Sequence, residues 1–143
     1  MRLPLATTAP EQSLSFLQKT WLGLEVLVTY VRVRWLMLRH DLPAAVTRLR
    51  GHSSSEIASA MPRFNKWRLA DAIIRVLRIL PTDSRCLMRS LVMLAMLERR
   101  GVPTTLVIGV KTDPKFEAHA WIEESGEALL FSGNGEYPQL TAI

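Results

Sequence analysis

Apolar residues recur at three- and four-residue spacing through the first hundred positions, then switch to a strand-like period beyond Gly101. The longest helical pattern runs over 11–39. Leu22, Val26, Val33 and Leu36 or Met37 fall on its apolar sides, and Glu25, Arg32 and Arg39 mark a polar stripe at seven-residue spacing. Gly23 predicts a break within it. His40-Asp41-Leu42-Pro43 ends it, with Asp41 as cap for a short helix over 43–50. Ser53 and Glu56 fit a capping box for a further short helix that reaches Met61 and stops at Pro62. Asn65 caps the next, over 66–80. There Arg68, Asp71, Arg75 and Arg78 take one face and Leu69, Ile73, Val76 and Leu80 the other, with Asp71 and Arg75 as an i,i+4 pair.

The strongest helix of the second half opens near Cys86. Leu87, Leu91 and Leu94 recur at helical spacing, as do Met88, Val92 and Ala95. Asp83 or Ser84 supplies the N-cap. Arg99, Arg100 and Gly101 supply the stop, two cations for the last turn and a residue that tolerates a left-handed conformation. Next come a β-branched, well-buried strand over 104–111, a turn over 112–115 and a second strand, Glu117–Glu124. A tight turn at Ser125-Gly126, a third strand over 127–132, a loop over 133–135 and a tail over 137–143 that can add an edge strand complete the chain. Helices first and an antiparallel sheet after give an α+β fold.

The 143 residues suit a single domain, 1–143, with a helical N-terminal region over 1–66 and a core over 67–143. A hydrophobic content of 48% argues against disorder, and one cysteine allows no internal disulfide, so nothing implies an oxidising compartment. The net charge of +5 comes from scattered basic residues that read as solvated helix faces and helix ends. No nucleic-acid motif accompanies them, so nucleic acid is not an expected partner. No secretory signal is visible, and the location expected is cytoplasmic. The apolar stretch over 21–38 is interrupted by Glu25, Arg32 and Arg34, which excludes a membrane span. Two readings remain for it: a helix buried against the domain, or one that rests on a membrane or a partner.

Cys86 falls in the first turn of its helix, where unpaired N–H groups and the positive end of the helix dipole favour a thiolate. A lone cysteine is most often an inert small hydrophobe. His119 in the second strand changes the balance, because Cys on a helix start and His on a strand form a candidate thiolate–imidazole pair. Strand alternation puts His119, Trp121 and Glu123 on one face, and the pair meets if the Cys86 helix packs across that face. His119 then acts as base on Cys86 and as acid toward the leaving amine, with the Cys86 N–H available to an oxyanion hole. Trp121 either shields the pair from water or is core. Glu123 reads as solvated or structural. His40 and His52 lack ligand spacing with Cys86, so neither a zinc site nor any cofactor is expected.

Four segments in order resemble the leader-peptidase domain of lasso-peptide biosynthesis. They are Ser84-Arg85-Cys86-Leu87-Met88-Arg89-Ser90-Leu91, Glu98-Arg99-Arg100-Gly101, Leu106-Val107-Ile108-Gly109-Val110 and Phe116-Glu117-Ala118-His119-Ala120-Trp121-Ile122-Glu123. That family is a transglutaminase-like cysteine protease. The resemblance implies a transglutaminase/papain-like core with Cys86 as nucleophile and His119 as general base. It also implies removal of the leader from a ribosomally made precursor peptide, with a separate leader-recognition protein to present it and a lasso cyclase to use the freed amine. The alternatives kept open are a transglutaminase-like acyl transferase and a non-catalytic scaffold of the maturation complex. Members commonly carry an aspartate near the position of Phe131 or Ser132, and this sequence has none after Asp113. The expected substitute that orients His119 is Asn134, with Ser132 or Glu136 otherwise.

Overall fold

The computed structural model describes residues 15–51, 65–80, 85–130 and 137–143. Among the described residues four helices, α1 (Phe16–Arg39), α2 (Leu42–Arg50), α3 (Lys66–Leu77) and α4 (Arg85–Arg99), precede four strands, β1 (Thr105–Lys111), β2 (Glu117–Glu124), β3 (Glu127–Ala128) and β4 (Gln139–Ala142). The strands form one antiparallel sheet in the order β3-β2-β1-β4, so the fold is α+β and the C-terminal tail is an edge strand. The helix expected over 53–61 and the caps expected at Asp83 or Ser84 lie outside the described residues.

The centre of the molecule is α4. Every residue from Leu91 to Leu97 is buried, so the middle of this helix is apolar all round, as a segment enclosed by neighbours must be. It packs against α1, α2, α3, β1 and β2. Its end is a Schellman motif: Gly101 N–H donates to the Glu98 carbonyl and Val102 N–H to the Leu97 carbonyl, with Gly101 left-handed at φ 75°.

Helix α1 is continuous over 24 residues, and Gly23 does not break it. A lone glycine costs about 1 kcal/mol in a helix interior. The buried row Leu22, Val26, Tyr30, Val33 and Leu36 outweighs that by packing on the core. The helix starts at a capping box in which Ser15 and Gln18 satisfy each other's backbone N–H. Asp41 holds the N-cap position of α2, but its side chain makes no capping hydrogen bond. Asn65 does cap α3, accepting from Trp67 N–H at 3.0 Å. That helix ends at Leu77 rather than Leu80: Ile79 N–H turns to the Val76 carbonyl at 3.3 Å, and Leu80 precedes Pro81, where helical backbone is disfavoured.

Glu25 belongs to no solvated stripe. It is buried and takes two 2.7 Å bonds from Arg100, while Arg99 bonds both Glu25 (3.1 Å) and the Thr29 hydroxyl (2.8 Å). The Arg99-Arg100 pair therefore does more than complement the α4 dipole; it fastens that end of the helix to α1. Burial pushes the Arg99 guanidinium below its ordinary value, and the Glu25 charge opposes that shift.

In the sheet, Ser125 (φ 51°) and Gly126 (φ 82°) are both left-handed, as a two-residue hairpin turn of type I′ requires. Glu124 pairs with Glu127, the register a two-residue turn implies. The third strand is shorter than expected, stopping at Ala128. Leu129 is buried in the core and its neighbour Leu130 packs against it too. Strand alternation would send these neighbours to opposite faces, so the chain bends instead. Lys66 reaches across from α3 to Glu124 (3.0 Å) and Glu127 (3.1 Å), and these carboxylates raise its pKa.

Candidate active site

Cys86 is the second residue of α4, so its own N–H is among the donors that no helical partner satisfies. Its side chain is half-buried and rests against the core. His119 lies on β2 opposite Gly109 of β1 and is also half-buried. The two residues line one cleft of about 110 Å³, together with Ile74, Arg89, Ala120 and Leu130. A larger groove of about 400 Å³ lies between α1 and α3, but no cysteine or histidine lines it.

The route by which they meet differs from the expectation. Helix α4 packs on the face of the sheet that carries Leu106, Ile108, Ala120 and Ile122, all joined to the core. His119, Trp121 and Glu123 occupy the reverse face with Gly109 and Val107. Cys86 therefore approaches His119 around the edge of β2 and not across its face. The carbonyls of Ile122 and Ala120, two residues apart, leave that edge in the same direction. The first accepts Leu129 N–H at 2.8 Å. The second is 3.2 Å from the Ser90 hydroxyl, which also donates to the Cys86 carbonyl at 2.8 Å. The N-terminal turn of α4 thus caps the strand edge where β3 has ended, one residue from His119.

On the reverse face the imidazole is set among aromatic rings. Trp121 stacks on it at 6.0 Å and 27°, and Tyr137 tilts against it at 5.1 Å and 33°. Trp121 is buried outside the main core, which fits the shield better than the core reading. Its indole N–H donates to Glu123 at 2.9 Å, so Glu123 is structural. The Tyr137 hydroxyl donates to Glu117 at 3.1 Å. Gly109 makes room for this arrangement: a Cβ there would lie 2.8 Å from the Tyr137 Cβ and 2.9 Å from Trp121.

Sequence reasoning gave no role to Tyr137 or Arg89. A glycine opposite His119 in the hairpin register is the signal that an aromatic ring closes over that spot. Arg89 follows Cys86 by three residues, hence on the same face of α4 one turn further on. Its Nε is buried and meets no hydrogen-bond acceptor among the described residues. Asn134, Ser132 and Glu136, the expected orienting residues, lie outside the described residues. Among the described residues no three His, Cys, Asp or Glu side chains are close enough to hold a metal ion.

A helix-borne thiol, a strand-borne imidazole and the backbone N–H groups of a helix start can together carry out acyl transfer through a thioester. The model of the Transglutaminase-like superfamily matches residues 21–143, and the chain belongs to that superfamily. The membership suggests cysteine protease or acyltransferase activity. No curated protein and no solved structure matches the chain.

Proposed function

We propose that this chain is a cysteine peptidase that removes the leader from a lasso-peptide precursor and frees the core N-terminus for macrolactam formation. The observation that carries the reading is the single cleft shared by Cys86 and His119. The motif series from Ser84 to Glu123 and the superfamily membership support it. In the proposed reaction, His119 takes the thiol proton while Cys86 Sγ attacks the carbonyl of the last leader residue. The tetrahedral oxyanion is held by N–H groups of the first turn of α4. The C–N bond breaks, His119 returns the proton to the leaving amine, and the core peptide departs with a free N-terminus. Water, activated by the same imidazole, then hydrolyses the thioester and releases the leader as a carboxylate. The precursor arrives on a separate leader-recognition protein, and a lasso cyclase consumes the freed amine.

Purified Cys86→Ala protein, mixed with precursor and recognition protein, tests the reading by mass spectrometry. The expected result is no cleavage with precursor binding retained, and His119→Ala behaves almost the same because the pair acts as a unit. Turnover by Cys86→Ala sinks the peptidase reading. A wild-type product that carries an added amine on the leader carboxyl, in place of the acid, assigns the chain to acyl transfer instead.

A further inference from the structure

Helix α1 carries two apolar seams. Leu22, Val26, Thr29, Val33 and Leu36, spaced four and three residues apart, are buried against the molecule. Leu17, Trp21, Leu24, Val28, Val31, Trp35 and Leu38 repeat the same four-three spacing about 140° around the helix, a separation that follows from 100° per residue. None of the seven is less than 43% exposed. Phe16 (82% exposed) and Leu27 (40% exposed) widen the strip. Over a helix about 36 Å long at 1.5 Å per residue, this amounts to apolar surface on the order of several hundred Å², at the upper end for an isolated domain.

The rim of the strip has one sign. Arg32 and Arg39 lie along one flank, Arg34 along the other, and the Arg39 guanidinium sits 4.8 Å over the Trp35 ring. The single acid of α1, Glu25, is turned inward onto Arg99 and Arg100. That ion pair holds the Glu25 side of α1 against α4, and the strip faces outward.

We infer that this strip seats the protein on an anionic membrane surface, with α1 lying in the interface plane. A second copy would set arginine rims against each other. A partner helix would have to fit Trp21 and Trp35 at seam positions that pack best with compact β-branched or leucine side chains. Tryptophan is at home where an apolar body meets a wet headgroup layer, and flanking arginines extend to lipid phosphates. Among the described residues no helix is long and apolar enough to cross a membrane, so the contact is one of lying on the surface.

Co-sedimentation of the full chain with vesicles of equal parts phosphatidylglycerol and phosphatidylcholine tests the inference. The chain should pellet with these vesicles and stay in solution with pure phosphatidylcholine or at high salt. Leu24→Ser/Val31→Ser should abolish pelleting while its circular dichroism and melting temperature match wild type. Arg32→Gln/Arg39→Gln should weaken it about fivefold for each cation removed. These outcomes are read without activity, so a failure of the peptidase reading leaves them standing. Wild-type protein that ignores anionic vesicles overturns the inference. So does an exposed strip occupied instead by a second copy, seen as a concentration-dependent dimer that Leu24→Ser/Val31→Ser abolishes. Binding of a synthetic amphipathic peptide flanked by glutamates, where vesicles do not bind, overturns it as well.

Discussion

Ser90 is joined to Ala120 across the boundary between α4 and β2, hydroxyl to carbonyl at 3.2 Å, while the same hydroxyl donates to the Cys86 carbonyl at 2.8 Å. One buried oxygen therefore links the turn that carries Cys86 to the strand residue beside His119. Ser90→Ala removes the donor and leaves the Ala120 carbonyl unpaired, at a cost of about 1–3 kcal/mol. Thermal melting should show the loss. If Ser90 also positions the cleft, kcat falls at temperatures where the variant is fully folded, with KM little changed. An unchanged kcat there makes Ser90 a purely structural link.

Gly109 tests the reverse face. Any side chain at this position drives into Tyr137 backbone and side chain and the Trp121 ring, all within 3 Å of the added Cβ. The Tyr137 carbonyl cannot swing aside as a flexible side chain would. Gly109→Ala should destabilise by about 1–3 kcal/mol, the usual range for overpacking. It should also slow turnover, since both rings that flank His119 must move. A variant that melts like wild type and cleaves at full rate would show that the aromatic cage yields freely.

Glu25 tests the anchor between α1 and α4. Removing one partner of a buried ion pair leaves charges without compensation, which costs about 3–5 kcal/mol. Glu25→Ala should therefore lower the denaturation midpoint sharply. Arg99→Met/Arg100→Met/Glu25→Leu, which removes the whole cluster, should recover much of that loss. Equal destabilisation of both variants would mean that the packing of α1 matters and the charges do not.

The sequence made much of this fold legible because local rules decided it: the capping residues at Asn65 and Gly101, the positive-φ turn at Ser125-Gly126 and the register of Glu124 with Glu127. It also placed Cys86 on a helix start and His119 on a strand. What it hid is long-range. Alternation shows that His119, Trp121 and Glu123 share a face, but not which face receives α4. Both faces of β2 bear apolar groups, Ala120 and Ile122 on one and Trp121 on the other, so apolar character alone does not choose between them. Glu25 and Arg100 are 75 residues apart, so each looked like an ordinary surface charge. The bend at Leu129-Leu130 follows from two adjacent side chains sharing one core, which no period reveals.

The orienting partner of His119 remains the expectation raised by the missing aspartate. A neutral imidazole needs one nitrogen held by an acceptor so that the other can take a proton. Asn134→Ala should lower kcat by about ten- to a thousandfold, bounded by the fall of about 10⁴ when a triad aspartate is replaced. A full-rate Asn134→Ala enzyme moves the expectation to Ser132, and then to Glu136.

Arg89 is the last test of the cleft. Arg89 lines the cleft with Cys86 and His119, and its Nε is buried with no acceptor among the described residues. A buried donor left unpaired costs about 1–3 kcal/mol, while the residue itself lines the cleft and can offer its remaining guanidinium N–H groups to a bound carbonyl or carboxylate. Arg89→Met keeps most of the apolar stem and removes the unsatisfied group. The variant should be at least as stable as wild type, yet kcat/KM should fall by about ten- to a hundredfold, in line with about 1.5–3 kcal/mol for a hydrogen bond to a charged group. Arg89→Lys should not restore the rate, because a point charge on a flexible stem does not reproduce the planar fork of guanidinium N–H donors. Melting curves beside steady-state kinetics decide the matter. If stability and activity fall together, the guanidinium supports the fold; if stability holds and only kcat/KM falls, it meets the substrate.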